Sequence, residues 1–209
     1  MQENMEKKTI YEFVEVLSSA QPVPGGGGAS ALCAALSASL CSMVANLTTG
    51  KKKYAEYQQD IEKIIVKMES ESKVLLSYIE KDAYAFEPLS KAYHIPKDQE
   101  GREQILEAAL KEAARVPMEL LREIASTIDV IAELENKGSR LALSDVGVAA
   151  SLARAAMEGA IMNVYINTQL MKNRELAKLW NDEASQIVKQ GRNKCDEMYA
   201  RIETELCKL

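Results

Sequence analysis

The chain has 209 residues, 47% hydrophobic and 27% charged, enough for one well-filled domain of ordinary soluble composition. A net charge of −5 and a pI near 5.2 argue against nucleic-acid binding as its main role. One histidine, His94, and four cysteines at 33, 41, 195 and 207, with no Cys-x-x-Cys pair, make a zinc site unexpected and point to reduced thiols.

Strand signals are nearly absent and helical spacing recurs along the chain, which predicts an all-α, single-domain bundle of about six mostly antiparallel helices. The start, Met1 to Lys8, is polar and charged and shows no secretory signal, so a cytoplasmic location is expected. The first helix is predicted over Glu6 to Ser19, with Ile10, Phe13, Val14 and Leu17 on its core face. Gln21 to Gly28 reads as a breaker, two prolines followed by four glycines. A second helix follows from about Ala29 to Thr48, stopped by Gly50. It is apolar enough to suggest a membrane span, but its serines, Asn46 and many alanines favour a buried, closely packed helix. The third is predicted from about Tyr54 to Tyr93, kinked by Pro88. Asp98 is the expected cap of the fourth, which runs to about Asn136 through Pro117. Ser144 is the expected N-cap of the fifth, with Asp145 in its first turn, and Asn173 that of the sixth. In the sixth, Leu176, Trp180, Ala184, Ile187, Gly191, Cys195, Met198, Ile202, Leu206 and Leu209 form an 11-residue-period stripe suited to a packed bundle.

Against this regular background a few polar residues stand out. Ile61, Ile65, Met68, Ser72, Leu75, Ile79, Asp82, Phe86, Leu89 and Tyr93 step by four and three along one stripe. A carboxylate in such a stripe is expensive unless paired, bonded or neutralised, and burial raises its pKa, which suits proton transfer. A bond to a neighbouring helix, or a place at the stripe's edge where the side chain reaches solvent, would also explain it. Pro24-Gly25-Gly26-Gly27-Gly28-Ala29-Ser30 leads into a helix, as either a flexible connector or a loop whose backbone admits an anion or a planar ring. Asn163 and Asn167 share one helix face, as a register-fixing pair or as amides that read a heterocycle. Asp145 is explained by its place at a helix start. It lies 18 residues from Asn163, roughly 27 Å along a helix, so the two serve opposite ends of a long ligand or different copies of a site in a dimer. Lys51-Lys52-Lys53 is a solvated helix end or a receiver for a carboxylate-bearing substrate.

These residues also occur in a known order. Pro22 to Ser30, Met43-Val44-Ala45-Asn46-Leu47-Thr48, Gly50 to Tyr54, Asp82-Ala83-Tyr84-Ala85-Phe86, Val116-Pro117, and Ser144 to Ala150 through Asn163-Val164-Tyr165-Ile166-Asn167 resemble the cyclodeaminase/cyclohydrolase family. That family includes the C-terminal domain of formiminotransferase-cyclodeaminase and stand-alone methenyltetrahydrofolate cyclohydrolases. The resemblance covers nearly all of 1–209 and implies one helical domain, a tetrahydrofolate derivative as substrate, no metal or other cofactor, no nucleic-acid or membrane partner, and a homodimer. It implies that Asp82 is catalytic, and that Gly26, Gly27, Gly28, Ser30, Asn46, Lys53, Asp145, Asn163 and Asn167 are candidate substrate-binding residues. The fourth glycine departs from the family's Pro-Gly-Gly-Gly pattern. The activity it implies is formiminotetrahydrofolate cyclodeamination to methenyltetrahydrofolate and ammonia. Methenyltetrahydrofolate cyclohydrolysis, or a non-catalytic folate-binding helical module, is the alternative.

Overall fold

A computed structural model describes residues 5–208, so the predicted stripe residue Leu209 lies outside it. Among the described residues there are six α-helices and no strand: α1 (Ile10–Leu17), α2 (Gly26–Thr48), α3 (Gln58–Tyr93), α4 (Arg102–Lys137), α5 (Leu143–Leu170) and α6 (Arg174–Leu206). Consecutive long helices run antiparallel, because short connections turn each back on the last. α2 packs on α3 and α5, α4 on α3 and α5, and α6 closes over α5 and α4.

Several ends differ from the sequence prediction, each for a local reason. The first helix is divided: a short 3-10 turn at Met5–Lys7 precedes α1, which Thr9 and Glu12 start with a reciprocal capping box. Of its predicted core face only Phe13 is buried; Ile10, Val14 and Leu17 face solvent, because this short helix reaches the bundle through one ring alone. α2 begins at Gly26, so three glycines of the predicted breaker form its first turn. First-turn N–H groups need no acceptor inside the helix, which lets residues of low helix propensity start one. Asp98 caps nothing: the N-cap of α4 is Gly101, at a left-handed φ of 79°. Ser144 lies inside α5, whose N-cap is Ala142 with no side-chain bond. Asn173 does cap α6, its side chain accepting from the Leu176 N–H at 3.0 Å. α3 and α4 continue through Pro88 and Pro117.

The core is dense and small-residued where α2 meets α5. Ala31, Ala34, Ala38, Ala149, Ala153, Ala156 and Ala160 are all buried, and small side chains let helix axes approach closely. The buried Ser37 hydroxyl donates to the Ala149 carbonyl at 2.8 Å, a bond between helices that helps fix their register. α2 is also the one described helix long and apolar enough to cross a membrane, with more than half of its apolar window buried inside the bundle. The sixth-helix stripe is buried or half-buried down to Ile202, and Leu206 is exposed.

Candidate active site

Asp82 is where the stripe of α3 meets the start of α2. Ile61, Met68, Leu75, Ile79 and Leu89 of that stripe are buried, and Asp82 is half-buried between the last two. The contact is possible because the facing residue has no side chain: a Cβ on Gly27 would sit 2.2 Å from Asp82 Oδ1. The backbone N–H of Gly28 lies beside the carboxyl, where it favours the charged form. Two opposed effects then set its acidity. Loss of solvent disfavours the charged form and is the larger, while the Gly28 N–H favours it. Burial wins and pushes Asp82 up to about 6 from an ordinary 3.8. A carboxyl there exchanges protons near neutral pH, as a general acid or base must.

Asp82 lines a cavity of about 190 Å³. Pro22, Val23, Gly25 and Gly26 form one wall, Phe86, Leu89 and Tyr93 another, and Asn163, Ile166, Asn167 and Leu170 of α5 a third, with Ala113 of α4. The space is smaller than the ~300–1,000 Å³ of sites that enclose a drug-sized ligand. It has room for a ring-sized group rather than for the whole of a larger molecule. Two aromatic side chains, Phe86 and Tyr93, lie on the same face of α3, two turns apart, and both line the cavity.

The two amides differ in what they offer. Asn163 spends one N–H on the Gly159 carbonyl at 2.9 Å, and its amide faces Gly26, where a Cβ would lie 3.4 Å from Nδ2. Asn167 donates twice, to the carbonyls of Ala113 at 3.1 Å and Asn163 at 2.8 Å. Both amides are half-buried.

Of the residues singled out in sequence, Asp82, Gly26, Asn163 and Asn167 line this cavity, and Gly27 and Gly28 lie against Asp82 from behind. Ser30 does not line it. Its buried hydroxyl donates to the Gly26 carbonyl at 2.8 Å and rests on Gly159, so it serves the α2–α5 contact. Asn46, Lys53 and Asp145 lie elsewhere, for one geometric reason. They sit at the C-terminal end of α2 and the N-terminal end of the antiparallel α5, and α2 is 23 residues long, about 34 Å. There Asn46 is exposed and bonds Ser42, Lys53 lies 5.7 Å over the Tyr54 ring, and Lys51 bonds Ser139 at 3.2 Å. The Tyr54 hydroxyl accepts from the Arg140 N–H at 2.9 Å, which holds its pKa below the ordinary phenol value.

Sequence reasoning did not single out Ala113, Ile166, Leu170, Pro22 or Val23 as lining residues. Ile166 and Leu170 continue the α5 turn spacing of Asn163 and Asn167, a signal that the polar pair overshadowed. Among the described residues, no group of three or more His, Cys, Asp or Glu side chains is placed to hold a metal ion. Cys41 is buried and its thiol is pushed up to about 12 by loss of solvent, and all four cysteines are free.

Fold and site together define an antiparallel all-α bundle with a near-neutral carboxyl facing a ring-sized cavity. The family model described as formiminotransferase-cyclodeaminase matches residues 9–186. The chain belongs to that family. It is 39% identical over 175 residues to a methenyltetrahydrofolate cyclohydrolase of Methylorubrum extorquens, covering 82% of this chain and 84% of that protein. To the formimidoyltransferase-cyclodeaminase of Sus scrofa it is 33% identical over 164 residues, covering 77% of this chain and 30% of that protein, so it spans about a third of that relative. A crystal structure of formiminotetrahydrofolate cyclodeaminase from Thermotoga maritima superposes with a TM-score of 0.82 at 29% identity, covering 96% of each chain.

Proposed function

We propose that this chain is a folate one-carbon enzyme that hydrolyses methenyltetrahydrofolate to formyltetrahydrofolate, with Asp82 as its proton-transfer residue. The observation that carries the reading is the Asp82 carboxyl, tuned to about 6 at the edge of a ring-sized cavity. The 39% identity to a cyclohydrolase of similar length supports the choice of reaction. Water adds to the methenyl carbon as Asp82 accepts one of its protons. The tetrahedral carbon then collapses to a formyl group, one carbon–nitrogen bond breaks, and Asp82 returns its proton to the departing nitrogen. The second proton of the water leaves to solvent, so charge and atoms balance.

Cyclodeamination of formiminotetrahydrofolate is the second reading, favoured by the Thermotoga maritima structure. There the anilino nitrogen attacks the formimino carbon, Asp82 takes the proton that this nitrogen sheds, and it delivers a proton to departing ammonia. One tetrahedral centre serves both reactions. The reading places the pterin ring in the cavity and needs no metal or other cofactor. Purified protein offered each substrate separately, with absorbance of the methenyl compound followed against an Asp82→Asn control, decides between them. Accelerated decay of the methenyl compound supports hydrolysis, and its formation from formiminotetrahydrofolate supports deamination. Neither change overturns the reading.

We further propose a homodimer. α2 and α5 expose large apolar side chains along their lengths, Leu36, Met43 and Leu47 on the first and Val148, Met162 and Ile166 on the second. Patches of this kind mark association surfaces. A twofold axis across α2 sets the two copies of this helix antiparallel. Lys51, Lys52 and Lys53 of one chain then lie toward the Asp82 cavity of the other, whereas a parallel pairing would oppose two sets of lysines. The partner in this way supplies cations that the cavity lacks and that a substrate's carboxylate tail needs.

A further inference from the structure

Pro117 lies well inside α4 and is buried. A proline in a helix interior is costly, because it has no N–H and its ring crowds the preceding turn. The N–H it lacks is the one that would close on the carbonyl four residues earlier, that of Ala113. Ala113 is 5% exposed, which leaves its carbonyl little access to water as a replacement donor. The donor it has comes from another helix: Asn167 Nδ2 at 3.1 Å.

The consequence runs back to the cavity. Asn167 has two amide hydrogens, and both go to carbonyl oxygens, one on Ala113 and one on Asn163. Carbonyls accept and do not donate, so the amide has only one possible orientation: NH2 toward the two carbonyls, Oδ1 away from them. Asn167 lines the cavity, and its oxygen is the polar atom left for a ligand.

We propose that Pro117 is a positioning residue: by withholding a helical N–H from Ala113, it leaves that carbonyl to anchor the Asn167 amide, so that the site presents an acceptor to an N–H donor on the substrate ring. The proposal rests on the folate reading for the identity of that ring, whose pterin carries amino and ring N–H groups. The orientation of Asn167 stands apart from it.

The test is Pro117→Ala. Alanine restores the N–H to Ala113, which then competes with Asn167 for the same carbonyl. A proline that served helix shape alone would be replaced with equal or greater thermal stability and unchanged substrate binding. The positioning role predicts undiminished stability together with a KM raised roughly 3- to 10-fold and kcat within about twofold, the loss of one hydrogen bond to the substrate. In an Asn167→Ala background the same change adds nothing further to KM, because the group it positions is gone. The NH2 protons of Asn167, followed by side-chain amide NMR in the unliganded protein, exchange faster with solvent in Pro117→Ala than in the parent. An unchanged KM, or an additive effect in the Asn167→Ala background, overturns the proposal. If the parent protein turns over neither folate, the substrate reading fails by itself, and the amide exchange rates still decide the positioning claim: faster exchange in the variant supports it, equal exchange refutes it.

Discussion

Asp82→Asn separates what the carboxyl does for the fold from what it does for the chemistry. The side chain keeps its shape beside the Gly28 N–H, but it no longer ionises. The folded carboxyl titrates at about 6 against an ordinary 3.8, so the native state binds this proton more tightly than the unfolded chain. Folding is therefore favoured most at low pH, loses free energy as pH rises from about 4 to about 6, and is level above that. At 1.36 kcal/mol per pKa unit, holding Asp82 ionised above pH 6 costs the fold up to about 3 kcal/mol. The asparagine variant does not carry that cost and bears only the smaller desolvation of an amide. Chemical denaturation at pH 7.5 should show it more stable than the parent by about 1–3 kcal/mol, with the difference shrinking toward zero at pH 4. Turnover should fall by about 10²–10⁴, the usual contribution of a positioned acid or base. An asparagine variant that is less stable at pH 7.5 would refute the burial argument, and one with parental turnover would remove Asp82 from the mechanism.

Three other outcomes follow from the same geometry. Gly27→Ala forces a methyl to within 2.2 Å of Asp82 Oδ1, so the carboxyl must turn away; turnover should drop at least tenfold with helix content retained by circular dichroism, and unchanged turnover would refute the close-contact role. Asn163→Ala should weaken folate binding roughly 3- to 10-fold by isothermal titration, and unaltered affinity would leave Asn163 a packing role alone. Mixing the Asp82→Asn chain with a chain carrying Lys51→Gln, Lys52→Gln and Lys53→Gln should restore about a quarter of parental activity, since about half of the dimers are hybrids and each has one intact site. No gain on mixing, with hybrids verified by native mass spectrometry, would refute a site shared between protomers.

The helical periodicity of α3 was legible in the sequence, and with it the anomaly of Asp82, because i, i+3 and i+4 spacing survives any arrangement of neighbouring helices. The glycines before α2 were legible as a place of close approach, but not as the first turn of a helix, since only the contact with Asp82 shows why three residues there lack side chains. The pairing of Asn163 with Asn167 followed from spacing, whereas the orientation of Asn167 did not. It depends on α4 lying alongside α5, and its sequence trace is Pro117, four residues beyond the carbonyl it leaves open. Asn46, Lys53 and Asp145 belong to the same ordered set of motifs as the cavity residues but sit at the far end of the bundle. Motif order carries no information on which end of a helix points where, and antiparallel packing decides it. Ser144 and Asp98 were plausible caps by residue type, and the chain starts its helices one or two residues before the first and several after the second.

The central claim is that a carboxyl at Asp82, shifted by burial, meets the substrate ring. Carbon-13 NMR of the labelled Asp82 carboxyl, titrated from pH 3 to 9 with and without a tetrahydrofolate analogue, measures both parts at once. The account predicts a midpoint near 6 in the free protein that moves when the analogue binds. A midpoint near 4 that ignores the analogue would contradict it.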